Sequence, residues 1–236
     1  MSDNNSTPVA RRSFLTRLGA GISVAGASLV AGVPLAAAQS STGAAGRFQA
    51  ARHTQDDWMD QVPGKHRLVF DTMEAPGFGA ALLYSNNFYV ASESGYGLKD
   101  PDTAVIIIAR HFATPFAYKD AMWMKYGAML TGVTKLNDPK TKQPPTFNLY
   151  NAAGYDDLAS MGTTVDTLVK RGVQFGVCQM ATTFFSGMLA KASGGNAEAI
   201  YKELVANLVP NAHMVPAGIV AVNRAQERGY SLVTPI

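Results

Sequence analysis

The run Val105-Ile106-Ile107-Ile108, framed by Ala104 and Ala109, is apolar at every position and has no face to turn toward water. Such a strand is stable only at the centre of a sheet covered on both sides, the usual setting of a parallel strand in an α/β protein. Shorter apolar runs recur at residues 67–70, which end at Asp71, and at 173–177, 213–215 and 230–233. Between them lie segments of helical character at 80–91, 118–126, 158–171, 182–192 and 218–228, with a further helix capped by Asn196. In 158–171 the side chains of Leu158, Met161, Val165, Leu168 and Val169 share one face, and Gly172 follows in the position of a left-handed cap. Strands alternating with helices predict a single α/β domain with a five-stranded, mostly parallel sheet.

The amino-terminal region has a different character. Arg11-Arg12-Ser13-Phe14-Leu15 is a twin-arginine pair followed by apolar residues, and a weakly hydrophobic, Gly- and Ala-rich stretch runs from Leu18 to Leu35. Ala36-Ala37-Ala38 then offers small side chains to a signal peptidase. Residues 1–38 therefore read as a twin-arginine export signal, which makes the expected location periplasmic. Gly19, Gly21, Gly26, Gly32 and Pro34 interrupt the apolar stretch, so no stable membrane span is expected after cleavage. Residues 39–64 are rich in Ser, Gly, Ala and Gln and read as a flexible, solvated lead-in with a short helix near 56–61, leaving 65–236 as the folded domain. The leader holds Arg11, Arg12 and Arg17 against Asp3, so of the 20 basic and 17 acidic residues of the chain 17 and 16 remain. That near balance, without a basic patch interleaved with aromatics, predicts no nucleic-acid partner. The sequence 137–145, with three Pro and two Lys, reads as an exposed insertion.

Cys178 is the only cysteine, and it stands where the strand 173–177 runs out toward a helix. In an open α/β sheet the carboxyl ends of the strands are where ligands and reacting groups collect. One cysteine cannot close an intramolecular disulfide, so two readings stand: a small buried hydrophobe or a reactive thiol. Arg110 and His111 follow the central strand and reach the same edge; His111 reads either as a base toward the thiol or as a helix-end residue. Asp71 ends the first strand at that edge without an assigned role, and Arg110, His111 and Asp71 are taken as candidate binding residues. No Cys/His cluster has zinc spacing, and Met122 and Met124 are two apart on a helix, so core packing explains them better than metal ligation. Gly77-Phe78-Gly79-Ala80 is too short for a dinucleotide fingerprint, and neither metal nor cofactor is expected.

The carboxyl-terminal third resembles the closing segment of the DsrE/DsrF-like family. The residues that carry the resemblance are Leu208-Val209-Pro210, the stretch His213-Met214-Val215-Pro216-Ala217-Gly218-Ile219-Val220, and Arg224 through Tyr230 with Gln226 and Gly229. Arg171-Gly172-Val173-Gln174-Phe175-Gly176-Val177-Cys178 is similar to the family's helix-end, strand and cysteine arrangement. The resemblance covers residues 158–236, is compatible with the strand at 67–71, and does not extend to 111–129 or to the Pro-rich insertion. It implies a Rossmann-like domain assembled as a homo-oligomer, a trimer or a hexamer. It also implies that Cys178 carries sulfur as a persulfide between donor and acceptor proteins, in the manner of a sulfurtransferase or sulfur carrier. One thiol suffices for such a cycle, whereas a disulfide cycle ordinarily needs two. The alternative is a non-catalytic oligomeric module that binds a small ligand or a partner and whose thiol is inert.

The order of arginine pair, apolar stretch and small-residue site yields a direct expectation. Intact-mass measurement of exported protein should show a chain that begins at Gln39, and a retained leader in that material would overturn the assignment.

Overall fold

The structure, a computed structural model, describes residues 49–236. The expected export leader and the start of the lead-in lie outside the described residues. Five strands, β1 (His66–Thr72), β2 (Thr103–Ala109), β3 (Gln174–Cys178), β4 (Ala212–Val215) and β5 (Ser231–Val233), form one sheet in the order β4-β3-β2-β1-β5. All four pairings are parallel. Among the described residues seven α-helices accompany them: α1 (Trp58–Gln61), α2 (Ala75–Tyr96), α3 (Asp120–Thr134), α4 (Val165–Lys170), α5 (Gln179–Ser193), α6 (Ala197–Ala206) and α7 (Gly218–Glu227). The fold is thus a Rossmann-like α/β domain, as the alternation predicts.

The chain advances from β1 to β4 in one direction and then returns to the opposite edge for β5. Because parallel crossovers are right-handed, the first three connections lie on one face and the last on the other. Two cores result. Val105, Ile107 and Ala109 of β2 join Phe70, Phe175, Val177 and the apolar faces of α2 to α6, while Ala104, Ile106 and Ile108 join Ala221, Val222 and Ala225 of α7. Every residue of β2 is buried, which is why its sequence can be apolar without alternation.

Several elements differ from their sequence-based bounds. The helix expected over 80–91 is α2, which spans Ala75–Tyr96, with Pro76 in its first turn and Gly97 in the left-handed conformation at its end. The helix expected over 158–171 is confined to Val165–Lys170. Met161 and Gly162 both have positive φ, and Thr164 caps the short helix by accepting a hydrogen bond from the Thr167 N–H. The aromatic stretch after β2 forms a 3-10 turn at His111–Ala117 that leads into α3. Its Phe116, Trp123 and Tyr126 are buried within this chain, so its apolar character is accounted for by the core and gives no argument for a partner surface. The insertion at 137–145 is mostly exposed but anchored: Asp138 is buried and accepts hydrogen bonds from the Lys140 N–H at 2.8 Å and the Tyr155 hydroxyl at 2.9 Å. Among the described residues no helix is long and apolar enough to cross a membrane.

The lead-in is not solvated throughout. Met59 is fully buried against the α7 side of the sheet, the Tyr230 hydroxyl donates to the Met59 carbonyl at 2.7 Å, and Arg228 bonds Asp60. Beside this anchor Trp58 stacks on His213 of β4, with ring centroids 4.1 Å and planes 8° apart, and His213 Nε2 pairs with Gln174 Oε1 at 3.0 Å. Burial lowers the pKa of His213 from its ordinary 6.5. The unfolded chain therefore takes up this proton more readily than the folded one, and the stability that His213 contributes is intact above the unfolded value and lost as pH falls below it. Urea unfolding followed from about pH 7 to about pH 5 should show a falling stability that His213→Phe, which keeps a ring against Trp58, flattens. An unchanged slope in the variant would assign the effect to another group.

Candidate functional site

The carboxyl ends of β2, β3 and β4 open into one cleft of about 480 Å3, lined by Arg110, His111, Phe112, Cys178, Met180, Ala181, Phe184, Ala217, Gly218 and Ile219. Its position is set by the topology, because parallel strands end together and the loops that leave them must diverge. Cys178 closes β3 and serves as the N-cap of α5, with its Sγ accepting a hydrogen bond from the Ala181 N–H at 3.4 Å. The residue is only 6% exposed. Behind it Thr182 Oγ1 donates to the Cys178 carbonyl at 3.0 Å and accepts from the Tyr118 hydroxyl at 3.0 Å. Tyr118 is fully buried, and burial drives its pKa above the usual phenol range. This buried chain of hydrogen bonds fixes the strand-to-helix junction that carries the thiol.

Three of the four residues expected at the site, Cys178, Arg110 and His111, line the cleft together. Asp71 does not line it. Its carboxylate lies behind Arg110, taking the guanidinium Nε–H at 2.6 Å and an Nη2–H at 2.9 Å. The pair is well shielded, with side-chain exposures of 8% for Asp71 and 20% for Arg110. The hydrogen bond that Arg110 donates to Asp71 is the main influence that raises the Arg110 pKa, desolvation opposes it, and the charges of Asp71 and Cys178 add smaller increments. Asp71 also borders a separate cavity of about 330 Å3 with Met73, Glu74, Gly77 and Pro235. His111 adopts a positive φ of 53° and lays its exposed ring against Phe112, with centroids 3.9 Å apart.

Two contributions are not evident from the sequence alone. Gly218, the first residue of α7, lies so close to the Arg110 side chain that a Cβ there would come within 2.9 Å of Cδ and 3.1 Å of Cγ. Only glycine lets the arginine pass across the start of α7. The available signal is Pro216-Ala217-Gly218, a glycine where a helix begins. The second is an apolar rim: Met180 is 69% exposed, Phe184 55% and Ile219 58%. Met180 and Phe184 are one helical turn apart on α5 and present one surface at the mouth.

No protein-family model matches the chain, and no curated protein is similar to it. A solved structure with some likeness is that of a protein of unknown function, MTH1491, from Methanobacterium thermoautotrophicum, at 15% identity and a TM-score of 0.37. The match spans 72% of this chain and 100% of the other.

Removing one partner of a fully buried ion pair costs about 3–5 kcal/mol, and hydrogen bonds to charged groups contribute about 1.5–3 kcal/mol. Since Arg110 keeps some contact with solvent, Asp71→Asn should destabilise the fold by about 1–3 kcal/mol in denaturant unfolding. It should also loosen the guanidinium beside Cys178, so that the alkylation rate of Cys178 changes under conditions where the variant is fully folded. Wild-type stability and an unchanged rate would show that the pair is incidental.

Proposed function

We propose that this protein is an exported DsrE/DsrF-like sulfur carrier that holds sulfur as a persulfide on Cys178. The observation that carries the reading is the position of the sole cysteine: at the carboxyl edge of a parallel sheet, in a cleft, with a helix N–H on its sulfur and an arginine beside it. The Ala181 N–H at the start of α5 points at the sulfur, where it can receive charge that develops during attack. The absence of a second cysteine suits a carrier, which needs one thiol that is loaded and unloaded in turn.

The cycle balances without an external oxidant. The Cys178 thiolate attacks the outer, sulfane sulfur of a donor persulfide, a new S–S bond forms as the donor's S–S bond breaks, and the donor departs as a thiolate. An acceptor thiolate then attacks the outer sulfur on Cys178, takes it away, and returns Cys178 to its starting state. Arg110 offsets the negative charge at the sulfur, and Asp71 holds Arg110 in place. The remainder of the proposal, a periplasmic location, assembly as a trimer or hexamer, and exchange with donor and acceptor proteins, rests on the leader and on the resemblance of 158–236.

A second reading is favoured by the walls of the cleft. Phe112, Met180, Phe184 and Ile219 are apolar, as in a site that binds a small ligand or a partner without chemistry. Incubation with polysulfide separates the two. A sulfur carrier gains sulfur at Cys178, seen in the intact mass, loses it on reduction, and shows no gain as Cys178→Ser. That substitution is close in size and should leave folding nearly intact. An unmodified wild-type mass would leave the binding module as the better account.

A further inference from the structure

None of the ten described residues that line the cleft is acidic, and the guanidinium of Arg110 is directed in a particular way. Arg110 presents five N–H donors in a planar fork. Asp71 occupies the Nε/Nη2 side of that fork, while Nη1 makes no hydrogen bond to any of the described residues. The Nη1/Nη2 end is therefore left for a second, planar acceptor, and because Asp71 already holds the guanidinium still, little side-chain freedom is lost on binding. Asp71 and Arg110 together are neutral. Added positive character comes from the first turn of α7, where Ala217 supplies no side-chain cap and no acidic residue is present. The rest of the wall is Phe112, Met180, Phe184 and Ile219, three of which stand more than half exposed at the mouth. A purely polar anion would leave those side chains in water, and a neutral apolar molecule would leave the guanidinium end unused.

We propose that the cleft binds a small amphiphilic monoanion, its carboxylate on the Nη1/Nη2 end of Arg110 and its apolar body along Phe184, Met180 and Ile219. The volume of about 480 Å3 suits a molecule of that size. This binding is independent of sulfur transfer: the ligand sits over Cys178 and restricts access to it, whether or not the thiol carries sulfur.

Calorimetric titration of the full chain with octanoate, and with octanol as the same body without the charge, tests this. Octanoate should bind saturably at one site per chain and octanol at least about tenfold more weakly, a difference of about 1.4 kcal/mol. Bound octanoate should slow alkylation of Cys178 several-fold, which places it in this cleft and not in the cavity beside Asp71. Arg110→Gln should abolish the preference for octanoate over octanol. Because that change leaves Asp71 without its partner, Ile219→Asp provides the second variant: its site is 58% exposed, so the fold is retained while an acid at the rim repels the carboxylate and weakens binding about tenfold or more. Equal affinity for octanol and octanoate, no protection of Cys178, or unweakened binding by Ile219→Asp would each overturn the proposal. Persulfide uptake, read separately by mass, is unaffected by any of those results.

Discussion

Burial of β2 on both faces is the constraint on which the architecture depends. Its seven residues are all buried, Ala104 to Ala109 completely, and at about 25 cal/mol per Å2 of apolar surface such a strand is stable only if helices cover the sheet above and below. Parallel neighbours then require long crossovers, and their common handedness sends three connections to one side and the last to the other. The return of the chain past β1 to place β5 at the far edge is what brings α7 under the sheet, so that Ile106 and Ile108 meet Ala221 and Ala225. Met59 completes that thinner layer, held by the Tyr230 hydroxyl. Met59 and Asp60, which precede β1, are thereby structural: Met59 packs in the layer with α7 and Asp60 pairs with Arg228.

The same topology places the chemistry. β2, β3 and β4 end at one edge, and each delivers a different group there: an arginine anchored by a carboxylate of β1, a cysteine that caps a helix, and a glycine that starts another. Each depends on the next. Gly218 is required for Arg110 to cross the start of α7, Arg110 is oriented by Asp71, and the guanidinium so fixed lies beside Cys178. Asp71 thus acts on the cleft from behind without lining it, and its burial makes the pair costly to break, which keeps the arginine from turning out to solvent.

Much of this is legible in the order of residues, and the exceptions have physical causes. The β2 run and the alternation of strands and helices are composition and period effects, and they survive folding because nothing competes with them. The helix expected over 158–171 fails because a one-face apolar spacing says nothing about φ: Met161 and Gly162 turn left-handed, and Thr164 offers the start of a shorter helix. Leu158 still reaches the core, but from a turn. The solvated reading of the lead-in fails because a polar composition hides one methionine that is fully buried. At the site, Cys178, Arg110, His111 and Asp71 can be placed at one sheet edge by their positions at strand ends, but the pairing of Asp71 with Arg110 cannot, since the two are 39 residues apart and meet only through strand pairing. The rim is hidden by an inversion in α5, where Thr182 and Ser186 are buried while Met180 and Phe184 face out. Thr182 is inside because its hydroxyl joins Tyr118 to the Cys178 carbonyl, and a hydrophobicity pattern has no term for that.

That inversion also bears on what can reach the sulfur. Cys178 is closed from behind by Thr182 and Tyr118 and along one side by the first turn of α5, so approach is through the cleft. The approach passes Met180, Phe184 and Ile219, whose exposure leaves apolar surface at the mouth of the cleft. A reagent that reaches the thiol must tolerate that rim and then meet a guanidinium whose free end accepts an anion. Access is therefore filtered twice, first by apolar contact and then by charge. The two filters together favour a partner that carries both an apolar body and an anionic group.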